Sequence, residues 1–183
     1  MKIVQYPHPA LRVKTKPVAT IDKDVVLAAG RMLELMYKNE GLGLAAPQVG
    51  LDFQLLVINF AGDAEAKDQE IVAVNPVILE TKGLDKDREG CLSFPGLYQD
   101  IRRAKTVKVQ AYGLDGQPFE MVCSELAARV WQHEIDHLNG VLFIDRMGTI
   151  ARMGSKRQLE DFVYDFDQAV RKGGIPPGTE KKL

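Results

Sequence analysis

The chain has 183 residues, a formal net charge of −1, 45% hydrophobic residues and 27% charged residues. These values are typical of one globular domain with its own core, so we expect a single domain over residues 1–183, with a mobile tail from about 173 to 183. The near-zero net charge excludes the basic field of a general nucleic-acid binder, and we expect no sequence-specific nucleic-acid binding.

Other features of the sequence indicate where in the cell the protein is expected. No apolar run approaches the ~20 residues that a membrane helix needs, so we expect no membrane association. The N-terminal stretch MKIVQYPHPALRVKTKP has no apolar segment of the signal-peptide type. Two cysteines do not make a disulfide framework. We therefore expect a cytoplasmic protein in which a thiol stays reduced and can serve as a metal ligand.

The predicted elements of the first half of the chain are one helix and two strands. After a proline-rich, extended start, the helix runs from the N-cap Asp22 to about Asn39, with apolar residues at helical spacing. Residues 52–60 and 71–80 are predicted strands, and Pro76 indicates an edge or a bulge in the second one.

The second half predicts a hairpin and two helices. Residues 105–113 alternate as a strand, Asp115-Gly116 is a hairpin turn, and PFEMVCSE is the partner strand. One helix runs from about Ser124 to Gly140, and a C-terminal helix begins at Ser155 with a Ser-Lys-Arg-Gln capping box. Because this order lacks βαβ alternation, it predicts an α+β fold with mainly antiparallel sheet.

The stretch WQHEIDHLNG carries the first chemical signal. His133 and His137 are four residues apart, so a helix places both imidazoles on the apolar face that Val130 shares. Glu134 lies beside them, off the ligand stripe. Two histidines can hold a metal ion, but a catalytic site needs a third ligand and an open position for water.

Three residues are candidates for the third ligand. Glu160 would suit a zinc metallopeptidase, but its neighbours do not resemble those of such a ligand, and His8 lies in a proline-rich stretch. Cys91 in EGCLS is favoured, because the adjacent glycine lets the backbone approach a ligand closely. The ordinary alternative is that Cys91 is a small buried hydrophobe, which is the better interpretation of Cys123.

Three segments together resemble the signature motifs of the peptide deformylase family, bacterial type: GLGLAAPQ (41–48), EGCLS (89–93) and QHEIDH (132–137). They match in order and in rough spacing. The resemblance implies antiparallel sheets packed around a central metal-bearing helix, followed by a C-terminal helix. Pro47 departs from the pattern, since another small residue is common at that position.

The resemblance also implies the ligands. One divalent ion would be held by Cys91, His133 and His137, with water as the fourth ligand. A thiolate suits softer divalent ions, so Fe(II) is expected in the cell, with Zn(II), Ni(II) or Co(II) as alternatives. The implied substrates are the N-formylmethionyl ends of nascent peptides, and the implied reaction releases formate.

The remaining site residues follow from the same resemblance. Glu134 would be the general base and then the general acid. The Gln48 amide and the Leu92 N–H would stabilise the negative charge on the formyl oxygen. The substrate pocket would be formed by Leu42, Gly43, Gly90 and Val130.

Residues behind the pocket complete the implied set. Glu89 would pair with Arg103, or alternatively with Arg102, and Asp136 would support the helix or a ligand. Phe94 and Tyr98 are expected to form an aromatic rim. In this family the C-terminal helix is associated with ribosome docking, and the basic residues that would serve it are Lys156, Arg157, Arg171, Lys172, Lys181 and Lys182. An ordinary solvated surface is an equal alternative. A zinc metallopeptidase and a non-catalytic metal- or peptide-binding relative are the competing functions.

Overall fold

A computed structural model describes residues 1–175 of the chain and shows an α+β fold. The helices within these residues are α1 (Lys23–Lys38), α2 (Glu125–Leu138), α3 (Thr149–Gly154) and α4 (Lys156–Arg171). The strands are β1 (Gly43–Ala45), β2 (Leu55–Ile58), β3 (Ile71–Lys82), β4 (Asp85–Cys91), β5 (Phe94–Arg103), β6 (Thr106–Tyr112) and β7 (Pro118–Ser124).

The strands form two antiparallel sheets. The larger has the order β1-β2-β3-β6-β7, and β4 pairs with β5 in the smaller. The predicted α+β fold with mainly antiparallel sheet is therefore confirmed. Among the described residues, β1 pairs with a neighbour on one edge only, and so does β4. Both strands thus keep a free edge for further hydrogen bonding.

The first predicted helix and the predicted hairpin are confirmed. The Asp22 carboxylate accepts hydrogen bonds from the N–H groups of Asp24 and Val25, both at 3.0 Å, and begins α1 as an N-cap. Gly116 adopts a φ of 75° in the turn between β6 and β7. Pro76 lies at a bulge in β3, where the register shifts between Val74 and Val77.

Sequence reasoning did not identify β4 and β5. Five of the seven residues of β4, DKDREGC, are charged, and such a run is typical of an exposed loop. The strand forms because its partner β5 supplies apolar residues, including the fully buried Ile101. The charged face of β4 is stabilised by ionic contacts with residues that are distant in sequence.

The predicted capping box at Ser155 is wrong. The Ser155 hydroxyl bonds no N–H group of α4 and instead donates to the carbonyl of Ala151, 2.9 Å away. It also accepts a hydrogen bond from the Gln99 amide. Because the short helix α3 runs directly into this position, Ser155 joins two helices rather than beginning one freely. Phe166 is buried on α4. The predicted mobile tail falls largely on residues 176–183, which lie outside the described residues.

Helix α2 occupies the centre of the molecule. All of its residues from 128 to 138 are buried, which is the environment of a helix that is covered on every side. Trp131 packs in the core under the larger sheet, with Val107 and Val109 among its partners. The same buried stretch also carries charged and polar groups, which are rarely buried without a partner or a function. Within residues 1–175, no helix is long and apolar enough to span a bilayer.

Candidate active site

Helix α2 and the end of β4 bring three metal-binding side chains together. The Nε2 atoms of His133 and His137 are 3.2 Å apart, and the Cys91 Sγ is 3.3 Å from the His137 Nε2. The ligand atoms of all three residues lie within 4.8 Å of one another. The helical spacing aligns the two histidines, and Cys91, which lies 42 residues before His133, is the last residue of β4. Glu160, the competing ligand, lies on α4 with its side chain 65% exposed, near Lys156.

The donor set fits a divalent transition metal ion. The Nδ1 of His133 lies 2.6 Å from a carboxylate oxygen of Glu89, so this nitrogen carries the proton and Nε2 keeps its lone pair for a ligand. One thiolate and two imidazoles suit softer ions such as Zn(II) or Fe(II) rather than Mg²⁺. Cys91 is partly exposed, while Cys123 is buried in the core.

The Glu134 carboxylate faces the glycine-rich segment. Its Oε2 is buried and has no hydrogen-bond partner among the described residues. Burial raises the pKa of Glu134 to about 7. An added Cβ at Gly43 would lie 2.6 Å from the Glu134 Oε1, so only glycine leaves room for this carboxylate. The group is therefore placed to accept and release a proton near neutral pH.

A hydrogen bond with a nearby backbone N–H group orients the Gln48 side chain. The side-chain oxygen accepts a hydrogen bond of 2.8 Å from the Ala45 N–H, which directs the NH₂ group the other way. That NH₂ lies 3.5 Å from the Cys91 Sγ and 3.4 Å from the Ser93 hydroxyl. Leu92 directly follows Cys91 in the turn between β4 and β5. A side-chain amide and a backbone N–H therefore lie next to the ligand cluster.

Glu89 is held by two arginines rather than one. Arg103 forms a bidentate pair with it, at 2.5 and 3.0 Å, as the resemblance implied, and Arg102 points to solvent instead. Arg129 adds a hydrogen bond of 3.1 Å to the same carboxylate. Burial alone raises the pKa of Glu89, but hydrogen bonds from His133 and Arg103 outweigh it and hold that pKa well below its usual range. Glu89 is therefore a permanent anion behind His133.

Asp136 extends this ionic cluster. It accepts hydrogen bonds from Arg103, at 2.5 Å, and from two nitrogens of Arg146, each at 2.5 Å. Within residues 1–175, no hydrogen bond joins the Asp136 side chain to the side chains of Cys91, His133 or His137, and Asp136 instead links α2 to β5 and to the turn that follows the helix. Its effect on the ligands passes through Arg103.

A cleft of ≈ 850 Å³ ends at the ligand cluster. It brings together all four residues of the predicted substrate pocket, Leu42, Gly43, Gly90 and Val130. Tyr98 also lines the cleft, and an added Cβ at Gly90 would overlap its ring. The prediction that Phe94 forms part of the rim is wrong, since Phe94 is fully buried between Tyr6 and Phe143.

Sequence reasoning missed Arg129, Arg146 and Arg88. Arg129 was within reach, because it lies four residues before His133 and so shares the ligand stripe of α2. Arg146 and Arg88 carried no local signal, since only the folded chain places them beside Asp136 and in the cleft.

Comparison with known proteins agrees with this site. A sequence model of the family described as polypeptide deformylase matches residues 1–153. The chain belongs to the polypeptide deformylase family. A peptide deformylase of Alkalilimnicola ehrlichii is 42% identical over 180 residues, which cover 98% of this chain and 96% of that protein.

Plant deformylases are similar as well. Peptide deformylase 1B of Arabidopsis thaliana, named chloroplastic/mitochondrial, is 42% identical over 96% of this chain. The chain spans 63% of the length of that relative and 63% of the length of its rice counterpart. A crystal structure of Arabidopsis peptide deformylase 1B with an inhibitor superposes with a TM-score of 0.89 and 42% identity, covering 99% of this chain and 98% of that one. The deformylase fold therefore extends over nearly the whole chain.

Proposed function

We propose that this chain is a metal-dependent peptide deformylase, built as one catalytic domain, that removes the formyl group from the N-terminal formyl-methionine of nascent polypeptides and releases formate. The observation that carries the proposal is the convergence of Cys91, His133 and His137 at the end of a cleft, beside Glu134 and Gln48. Membership of the deformylase family supports it.

Cys91, His133 and His137 would hold the metal ion. When bound, such an ion lowers the pKa of water to about 7 and polarises a carbonyl group. We propose Fe(II) as the ion in the cell, because the thiolate suits it. Metal analysis of protein purified without oxygen tests this point, and zinc in place of iron in such a preparation would contradict it.

The chain's own groups would move the protons and stabilise charge. Glu134 accepts a proton from the attacking water and then delivers it to the departing amine nitrogen. Its buried, unpartnered Oε2 is the atom available for this transfer. The Gln48 NH₂ and the Leu92 N–H donate to the formyl oxygen as negative charge develops there. Glu89 keeps the His133 ring in the ligating orientation.

The cleft suits an extended peptide. One wall carries the segment that leads into β1, with Gly41, Leu42 and Gly43, and the other carries the end of β4. Because both strands have a free edge, a peptide chain can bind between them as an added strand. Leu42 and Val130 then provide apolar surface for the methionine side chain.

The two competing functions have less support. A metallopeptidase with Glu160 as ligand would need that residue at the cluster, but Glu160 is exposed on α4. A non-catalytic binding protein would not need a partnerless carboxylate at the ligands. Both alternatives also leave Gln48 without a role.

Formate release from a short formyl-methionyl peptide tests the proposal. The assay uses protein purified without oxygen, and the same peptide without the formyl group is the control. We expect rapid formate release with intact peptide bonds, and Cys91→Ser should abolish metal binding and activity. Absence of formate after reloading with Fe(II), Ni(II) or Co(II) contradicts the proposal, and cleaved peptide bonds would indicate the peptidase.

Location and ribosome docking are further proposals. We propose a cytoplasmic location and docking to ribosomal RNA through basic residues of α4, such as Lys156 and Arg157, which are exposed. Co-sedimentation with ribosomes tests the docking, with the double variant Lys156→Glu, Arg157→Glu as the control. Equal co-sedimentation of both proteins would show that α4 is an ordinary solvated surface. Lys181 and Lys182 lie outside the described residues.

A further inference from the structure

Arg88 and Tyr98 form a paired feature on the wall of the cleft. Tyr98 is directly opposite Gly90 in the register of β4 and β5, and Arg88 lies two residues before Gly90 on the same face. The Arg88 guanidinium carbon is 4.9 Å from the centroid of the Tyr98 ring. Both side chains line the cleft, and both are exposed to solvent.

The Arg88 guanidinium, which lies over the Tyr98 ring, can still donate hydrogen bonds to a ligand. Stacking uses the face of the planar group and leaves its N–H donors available to a carboxylate. Within residues 1–175, no carboxylate lies within ion-pair distance of the Arg88 side chain. Asp100, which is directly opposite Arg88 in register, is bound by the Lys86 ammonium at 2.9 Å. The Arg88 guanidinium over the Tyr98 ring is therefore a positive charge at the cleft wall that has no ion-pair partner among residues 1–175.

The distance of Arg88 from the ligand cluster determines which residues of a bound peptide its side chain can contact. Arg88 lies two residue steps from Gly90 along β4, with one residue between them, and two steps span about 6.6 Å along a strand. An extended peptide with its formyl-methionine at Gly90 covers the same distance in two residues. The long arginine side chain therefore reaches the second and third residues of the substrate.

We infer that Arg88 is a specificity-determining residue, which favours formylated peptides with aspartate or glutamate at the second or third position. This inference rests on the proposed deformylase function. Lys2, Lys38 and Glu40 also line the cleft. The Arg88 guanidinium differs from both lysines because stacking on Tyr98 orients its fork of donors, and a fork binds a carboxylate at two points.

Competing isosteric peptides test the inference. The substrates are formyl-Met-Asp-Ala amide against formyl-Met-Asn-Ala amide, and formyl-Met-Ala-Asp amide against formyl-Met-Ala-Asn amide. Because the C-terminal carboxylate is blocked, each pair differs only in one charge. At low salt we expect kcat/KM for the aspartate peptide to be about twofold to fivefold higher in at least one pair, as is typical of an exposed ion pair. The preference should disappear in 1 M NaCl.

Two charge-reversal variants assign the preference. Arg88→Glu should invert it, while Arg102→Glu, an equal charge change on β5 at a residue that does not line the cleft, should leave it unchanged. Tyr98→Leu keeps the charge but removes the stacking platform and should reduce the preference. A circular dichroism spectrum like that of the parent protein shows that each variant is folded.

Each outcome has a distinct meaning. Formate release at equal rates from both members of each pair overturns the inference and leaves the deformylase function standing. A preference that persists in Arg88→Glu shows that another basic residue is responsible, and the assignment to Arg88 is then wrong. Absence of formate from every peptide contradicts the proposed function itself.

Discussion

Two buried glutamates on opposite sides of α2 have pKa values that are shifted in opposite directions. On the side of β4 and β5, Glu89 is bound by His133, Arg103 and Arg129, and its pKa is held low. On the side of β1, Glu134 packs against Gly43, one of its oxygens has no hydrogen-bond partner among residues 1–175, and burial raises its pKa to about 7. A fixed anion on β4 thus lies behind the ligands, and a titratable carboxylate on α2 lies in front of them.

This difference in pKa indicates a structural role for Glu89 and a chemical role for Glu134. A carboxylate bound by several cations cannot exchange a proton near neutral pH, but it can orient a histidine. A buried carboxylate without a partner is costly to keep charged and is suited to proton transfer. Variants on the Glu89 side should therefore affect stability, and variants on the Glu134 side should affect turnover.

The largest expected effect is that of Glu134→Gln. Because the variant keeps the shape of the side chain but cannot accept a proton, kcat should fall about 10²–10⁴-fold. Metal content and the midpoint of thermal unfolding should stay close to those of the parent protein. Formate-release kinetics, elemental analysis and thermal unfolding measure these three quantities. Glu160→Gln is the control and should retain full activity, whereas equal losses in the two variants would refute the role given to Glu134.

Removal of Arg103 tests the opposite side of the helix. Arg103→Met leaves Glu89 and Asp136 without their shared cation, and breaking such a buried network costs about 3–5 kcal/mol of unfolding free energy. Denaturant unfolding of the variant measures this loss. Arg102→Met, on the exposed face of the same strand, should change stability by less than about 0.5 kcal/mol. Similar losses in both variants would show that the buried ion pairs contribute no more to the unfolding free energy than the exposed Arg102 does.

A methyl group at Gly43 should displace the Glu134 carboxylate but leave the ion pairs of Glu89 intact. In Gly43→Ala the added carbon would lie 2.6 Å from the Glu134 Oε1, so the carboxylate must shift. A misplacement of about 1 Å can reduce turnover about 10²-fold. Gly30→Ala in α1 is the matched control, since nothing lies within 4 Å of the new carbon, and it should raise stability slightly. Full activity of Gly43→Ala would show that Glu134 tolerates displacement.

The smallest effect belongs to the partly exposed pair of Arg12 and Asp145. Burial raises the pKa of Asp145, but hydrogen bonds from Arg12 and from the Leu142 N–H outweigh it and lower that pKa. The stabilisation is therefore complete above the unfolded carboxyl pKa of about 3.9 and is lost as pH falls through the folded value.

We expect Asp145→Asn to lower the unfolding free energy by about 0.5–1 kcal/mol at pH 7, because solvent screens a pair whose carboxylate is 32% exposed. The difference from the parent protein should shrink below about pH 4. Asp52→Asn is the control, since Asp52 pairs with the largely exposed Lys16, and it should have no measurable effect. A difference that grows as the pH falls would contradict the assignment.

The sequence by itself determined the local features of the site. The spacing of His133 and His137 requires only a helix to align them, and the Asp22 cap and the Asp115-Gly116 turn also depend on neighbouring residues alone. These signals are local, so they are present before the chain folds. Cys91 was favoured as a ligand from its flanking glycine, and the three motifs supported it and located the other site residues through resemblance to a family.

Only the tertiary structure decided which charges are buried. The charged segment of β4 is typical of a surface loop, yet Glu89 becomes an internal anion because Arg103 and Arg129 arrive from β5 and α2. The raised pKa of Glu134 depends equally on elements that close over it. Burial and ionic pairing depend on contacts between residues far apart in sequence, so no local pattern contains them.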